Sequence, residues 1–221
     1  MKKKIGVVLS GCGVYDGTEI HEAVLALLAI DRAGAEAVCM APNIEQMHVV
    51  NHLTGQESKG ERRNVLEESA RIARGNIKDI AAVKADDIDG LILPGGFGAA
   101  KNLSDFAVRG ENCKVHPEVQ RLIKEFAERK KPQAACCIAP AVVAKAFEGS
   151  SARPTLTIGN DREVGGQLEK MGSSHKACAA TEIVLDERNR IVSTPAYMTG
   201  KSIGEVAEGI EKTVRALIKM L

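Results

Sequence analysis

Short, nearly continuous apolar runs alternate along the chain with stretches whose apolar residues recur every three or four positions. Ile5 to Leu9 is the first such run, rich in valine and isoleucine and ended by the turn Ser10-Gly11-Cys12-Gly13. It reads as a strand buried on both faces. From Thr18 the period changes: Ile20, Val24, Leu27 and Leu28, with a stop at Gly34, predict an amphipathic helix. Thr18 or Asp16 is available to cap it, and Ile20 and Val24 share its buried face. Ala35 to Ala41 is a second apolar run closed by Pro42-Asn43, completing a β-α-β unit. Residues 43 to 88 mix short apolar pieces with polar stretches, and only a helix at about 64–74 stands out. That segment reads as a long insertion that leaves the core sheet. The alternation then resumes with a strand at 90–93, a helix at 116–129, a strand at 133–136 and a helix at 138–147. A strand at 156–158, a helix at 161–171, strands at 182–186 and 190–193 and a closing helix at 203–220 complete the chain. Glu187-Arg188-Asn189 joins the last two strands as a hairpin.

Alternating strands and helices predict an α/β fold with a mostly parallel sheet between two helical layers. A chain of 221 residues, 44% of them apolar, is one domain spanning 1–221. Lys plus Arg at 30 against Asp plus Glu at 29 gives no field that would draw nucleic acid or an anionic membrane. The basic start, Lys2-Lys3-Lys4, precedes an apolar run too short for a signal peptide or a membrane span. The six cysteines form no Cys-x-x-Cys pair and no cluster with histidine at metal spacing, so a zinc site is not expected. Free thiols in apolar surroundings point to a reducing compartment, the cytoplasm by default.

In such folds ligands bind at the carboxyl ends of the strands, where the strand order reverses. Three turns lie there: 10–18, 94–98 and 136–139. In Ala135-Cys136-Cys137-Ile138-Ala139, a nucleophile elbow needs small residues two positions to either side of the nucleophile. Cys137 has Ala135 and Ala139 there, whereas Cys136 has Ala134 and the bulky Ile138. The pattern selects Cys137, and a helix N-terminus would stabilise its thiolate. The competing reading is two buried structural cysteines. Pro94-Gly95-Gly96-Phe97-Gly98 lets backbone N–H groups, those of Gly95 and Gly96, turn toward an oxyanion. It lacks the spacing of a phosphate-binding loop. In Glu19-Ile20-His21-Glu22 on the first helix, Glu22 can face either the strand ends or solvent.

Together these turns resemble the PfpI-like branch of the class I glutamine amidotransferase-like superfamily, and within it the glyoxalases. The resemblance rests on Ser10 to Gly17 with Glu19 to Val24, Asn51 to Gly55, Pro94 to Leu103, Cys137 to Ala141, and Thr194-Pro195-Ala196-Tyr197-Met198. It implies a flavodoxin-like three-layer α/β/α sandwich, a nucleophile at Cys137 and an acidic partner at Glu22. It also implies a homodimer and a glutathione-independent glyoxalase taking glyoxal to glycolate. No cofactor is needed for that reaction. The N–H of Ile138 joins Gly95 and Gly96 as an oxyanion donor. Peptidase members carry histidine directly after the cysteine, and here that position is Ile138. His175 and His52 are the histidines available to enter the site from elsewhere. A redox-sensing thiol, or an amidase or deglycase of the same superfamily, are the alternative functions.

Overall fold

In the computed structural model, which describes residues 2–221, the chain opens with β1 (Lys4–Val8), α1 (Ile20–Arg32) and β2 (Glu36–Ala41). The predicted insertion holds a hairpin of β3 (Val50–Asn51) and β4 (Gln56–Glu57), then α2 (Val65–Ile72) and β5 (Ile77–Asp79). β6 (Gly90–Leu93) leads through the short helices α3 (Phe97–Lys101) and α4 (Phe106–Arg109) to α5 (Pro117–Glu128). β7 (Gln133–Cys136), α6 (Pro140–Phe147), β8 (Thr155–Leu156), α7 (Arg162–Lys170) and β9 (Ser174–His175) follow. The chain ends with β10 (Val184–Asp186), β11 (Ile191–Thr194) and α8 (Ile203–Lys219).

The central sheet has seven strands in the order β10-β11-β7-β6-β1-β2-β5, all parallel except β10, which runs antiparallel to β11. From β1 the chain builds outward to β2 and β5, then returns to β6 on the other side. The order reverses between β1 and β6. That crevice is the expected ligand position in a sheet of this kind. Side chains alternate across the sheet as the pleat requires. Ile5, Val7, Leu9, Ile92, Ala134 and Val192 pack with α1 and α8, while Val8, Leu91, Leu93 and Ala135 pack with α5 and α6. The result is a flavodoxin-like three-layer sandwich with a mostly parallel sheet. Among the described residues, no helix is long and apolar enough to cross a membrane.

Four expectations need correction. The 43–88 segment does not stay off the sheet: β5 pairs in parallel with β2 as the edge strand. Two of its three residues, Lys78 and Asp79, are charged, and the strand is too short to give a periodic signal. The strand expected at 156–158 is β8, which pairs with β9 in a separate two-stranded sheet. The cap of α1 is Glu19, whose side chain accepts the Glu22 N–H. Thr18 and Asp16 are occupied: the Thr18 hydroxyl accepts the Ser10 N–H at 2.7 Å, and Asp16 Oδ2 accepts the Val50 N–H at 2.7 Å. The buried face of α1 is also not the expected one. Ala23, Ala26, Ala29 and Ile30 face the core, leaving Ile20, Val24 and Leu28 at 42%, 48% and 41% exposure. Small residues let this helix approach the sheet and α8 closely, so the larger apolar residues point outward.

Candidate active site

Three loops converge at the crevice. After β1, the turn at Gly11 to Gly17 folds back on itself, with Gly13 N–H donating to the Thr18 carbonyl and Gly17 N–H to that of Gly13. The loop after β6 is fastened to it: Gly98 N–H donates to the Gly17 carbonyl at 2.8 Å, and Glu19 N–H donates to the Gly95 carbonyl at 2.9 Å. Gly96 joins them with φ 92° and ψ 160°, a conformation open essentially to glycine alone. A Cβ at Gly96 would overlap Glu19 N and stand 2.5 Å from the Gly17 carbonyl oxygen. Gly96→Ala is therefore expected to cost about 3 kcal/mol or more. For a chain of this size, that is a fall of roughly 10 °C in thermal midpoint. A calorimetric midpoint within 2–3 °C of wild type, the shift of about 1 kcal/mol, would refute this account of the joint.

The third loop carries Cys137 between β7 and α6. Its φ is 58°, the left-handed conformation a nucleophile elbow imposes on a residue other than glycine. The Cys137 N–H donates to the Thr194 carbonyl at 3.0 Å, tying the elbow to the end of β11. Cys136 ends β7 with no exposed surface, packed in the core. Cys137 retains 8% exposure, and the N–H groups of Gly96 and Ile138 are directed at its sulfur.

Glu22 faces inward. It is fully buried, and its two carboxylate oxygens are held by different loops: Oε2 by the Gly95 N–H at 2.8 Å and Oε1 by the Tyr197 N–H at 3.2 Å. Burial pushes its pKa up to about 7, with the charge of Glu19 adding to the rise. The N–H groups of Tyr197 and Gly95 and the Cys137 thiol hold it from going higher. The thiol itself is pushed well above its ordinary value, first by burial and then by the charge on Glu22, against the pull of the Gly96 and Ile138 N–H groups. Helix-end stabilisation was expected to leave a thiolate. Desolvation beside a carboxylate outweighs it, so the resting form is a thiol facing an acid that titrates near neutrality.

Gly95 departs from its expected role as an oxyanion donor, because its N–H is already engaged by Glu22. What it supplies is closeness. A Cβ there would run into the Cys137 Cβ and stand 2.8 Å from Glu22 Oε2. The donors left to an oxyanion are Gly96 and Ile138. The two candidate histidines are held elsewhere. His52 Nε2 accepts the Tyr15 N–H at 3.2 Å and Nδ1 meets the Val50 carbonyl at 3.0 Å. His175 lies in β9, packed over Gly165 of α7. The groups that act on the Cys137 thiol and on Glu22 include neither. Sequence reasoning passed over Tyr197, which holds Glu22, and His21, whose Nδ1 lies 2.8 Å from the Tyr197 hydroxyl. The signal was present, since Thr194-Pro195-Ala196-Tyr197 directly follows a strand at the ligand-binding end of the sheet.

The description "DJ-1/PfpI family" matches residues 12–200 of this chain. The human glutamine amidotransferase-like class 1 domain-containing protein 3, mitochondrial, is 46% identical over 226 residues, 98% of this chain and 83% of that protein. The rat ES1 protein homolog, mitochondrial, is 45% identical over 228 residues, 99% and 84% of the two chains. Among solved structures, an isoprenoid biosynthesis protein with amidotransferase-like domain from Ehrlichia chaffeensis superposes with a TM-score of 0.91 at 40% identity, covering 99% of this chain and all of that one. Drosophila melanogaster DJ-1beta shares the fold, with a TM-score of 0.59 at 20% identity over 100% of this chain and 96% of its own. A family match across most of the chain, with relatives close to half identical over nearly all of it, means that the chain belongs to the DJ-1/PfpI family.

Proposed function

We propose that the protein is a glutathione-independent glyoxalase that converts glyoxal and similar small dicarbonyls to hydroxy acids. The observation that carries this reading is the pairing of Cys137, on its left-handed elbow, with a buried Glu22 whose pKa of about 7 suits both taking and giving a proton near neutral pH. As the Cys137 sulfur bonds to one aldehyde carbon, the thiol proton passes to Glu22, and the Gly96 and Ile138 N–H groups stabilise the resulting oxyanion. Glu22 returns that proton to the oxyanion, giving a neutral hemithioacetal. The carboxylate then removes the hydrogen on the attacked carbon, and the C–H electron pair becomes the C=C bond of an enediolate whose charge lies on the second oxygen. Return of the proton to the neighbouring carbon, with passage of the hydroxyl proton of the attacked carbon to the second oxygen, gives a glycolyl thioester. Water cleaves it, restoring the thiol and releasing glycolate. One carbon is oxidised and its neighbour reduced, so the sum needs only glyoxal and water.

A redox sensor would need a thiolate at rest, and burial beside Glu22 favours the thiol instead. An amidase or deglycase would use the same thiol and acid, and the tight enclosure by Gly95 favours a small substrate. We further propose a homodimer, for which the exposed stripe of Ile20, Val24 and Leu28 along α1 offers an apolar face. The six free cysteines support a reducing compartment, the cytoplasm. The test is a product assay with glyoxal as sole substrate in D2O. Glycolate is expected without added thiol, with solvent deuterium entering its CH2 group through exchange at Glu22. Absence of glycolate would end the proposal.

A further inference from the structure

Glyoxal becoming a thioester of glycolate requires two separate hydrogen movements. One hydrogen leaves the attacked carbon for its neighbour. A proton also leaves the oxygen on the attacked carbon, and one arrives on the neighbour's oxygen. Glu22 accounts for the first. While it holds the carbon-derived proton it cannot also serve the second oxygen.

We propose that Tyr197, held by His21, is the acid and base for that second oxygen, a role that rests on the glyoxalase reading. Its placement comes from three contacts. The Tyr197 N–H donates to Glu22 Oε1 at 3.2 Å, fixing the residue beside the carboxylate. Its hydroxyl is 2.8 Å from His21 Nδ1, on the residue directly before Glu22 in α1. Its side chain packs against the large apolar cluster on the α1 and α8 side of the sheet, of which Cys137 is one member. Ala196, at φ 44°, supplies the left-handed turn that brings Tyr197 back after β11. Backbone strain of this kind persists where the surrounding structure enforces it, commonly at functional sites.

The chemistry balances. As Glu22 removes the carbon-bound proton, the Tyr197 hydroxyl gives its proton to the second carbonyl oxygen, and His21 stabilises the phenolate. When the thioester carbonyl forms, the hydroxyl of the attacked carbon returns a proton to Tyr197. In a cis enediol the two oxygens are adjacent, so one phenol serves both. Burial and the charges of Glu19 and Glu22 raise the Tyr197 pKa, which keeps it in the donating form at neutral pH.

The test compares wild type, Tyr197→Phe, His21→Ala and Cys137→Ala for kcat and KM with glyoxal, and for the isotope effect with dideuterated glyoxal. Phenylalanine keeps the ring and the backbone donor to Glu22. Tyr197→Phe is therefore expected to lose about 10²-fold or more in kcat with KM changed less than about threefold. Its isotope effect should rise, because removal of the carbon-bound proton becomes slower. His21→Ala, at an exposed position, should lose about 10-fold in kcat, as expected when a hydrogen-bond partner of the phenolate is removed. Tyr197→Phe and His21→Ala both with wild-type kcat and isotope effect, while Cys137→Ala is inactive, would overturn the role of Tyr197 and leave the glyoxalase reading standing. Equal losses in kcat and in thermal stability would assign Tyr197 a structural role and overturn it too. If Tyr197→Phe does not fold, His21→Ala decides alone, with unchanged kcat overturning the proposal. Wild type that forms no glycolate removes both readings.

Discussion

Cys137→Ala should abolish glyoxal turnover, a loss of at least about 10⁴-fold, because in the proposed reaction the sulfur forms the bond through which every later intermediate is held. Cys137→Ser should be nearly as inactive. A hydroxyl is a weaker acid than a thiol and a poorer nucleophile when it is not ionised, so Glu22, with a pKa of about 7, activates it less well than the thiol it already touches. Cys136→Ala provides the contrast. That side chain is sealed in the core at the end of β7, so the variant should keep its turnover and lose only packing. Steady-state glycolate formation by the three purified variants checks all of this. Activity surviving in Cys137→Ala would exclude covalent catalysis at this site.

Glu22→Gln should lose about 10³-fold in kcat, since glutamine cannot take the thiol proton. It should also change how stability depends on pH. The folded protein holds the Glu22 proton more tightly than the unfolded chain does, with a pKa raised from 4.5 to about 7. The stabilisation linked to that proton is complete below the unfolded value and is lost as pH rises through about 7. Glutamine does not titrate. The difference in unfolding free energy between variant and wild type should therefore move in the variant's favour by about 3 kcal/mol between pH 4.5 and 7.5. Other carboxylates titrate in both proteins and cancel. Denaturant unfolding across that range measures the shift, and a difference flat with pH would mean that burial does not raise the Glu22 pKa.

Much of this arrangement was legible in the sequence because the physics that selects it is local. Alanines at 135 and 139 marked Cys137 as the elbow, and its φ of 58° is what those small neighbours permit. Paired glycines after β6 marked the second loop. What escaped depended on partners far along the chain. Gly95 could be read as a flexible donor, but not that Glu22 already occupies its N–H. The orientation of α1 was misread because size was taken as the sign of burial, whereas alanines made the close contact. A Glu22 pKa raised by burial was expected and is found, whereas the raised pKa of the Cys137 thiol comes from desolvation that outweighs the helix end, which no spacing of residues displays. β5 was invisible because an edge strand needs only backbone pairing.

The two bonds that hold Glu22 link it to residues 73 and 175 positions away. Contacts of such long range form late, because each must first overcome the entropy of closing a large loop. The acid therefore has no fixed position until β1, β6 and β11 have all docked. During refolding, the proposed activity is therefore expected to return only at the final stage of assembly, and a polypeptide truncated before β11 is expected to lack it.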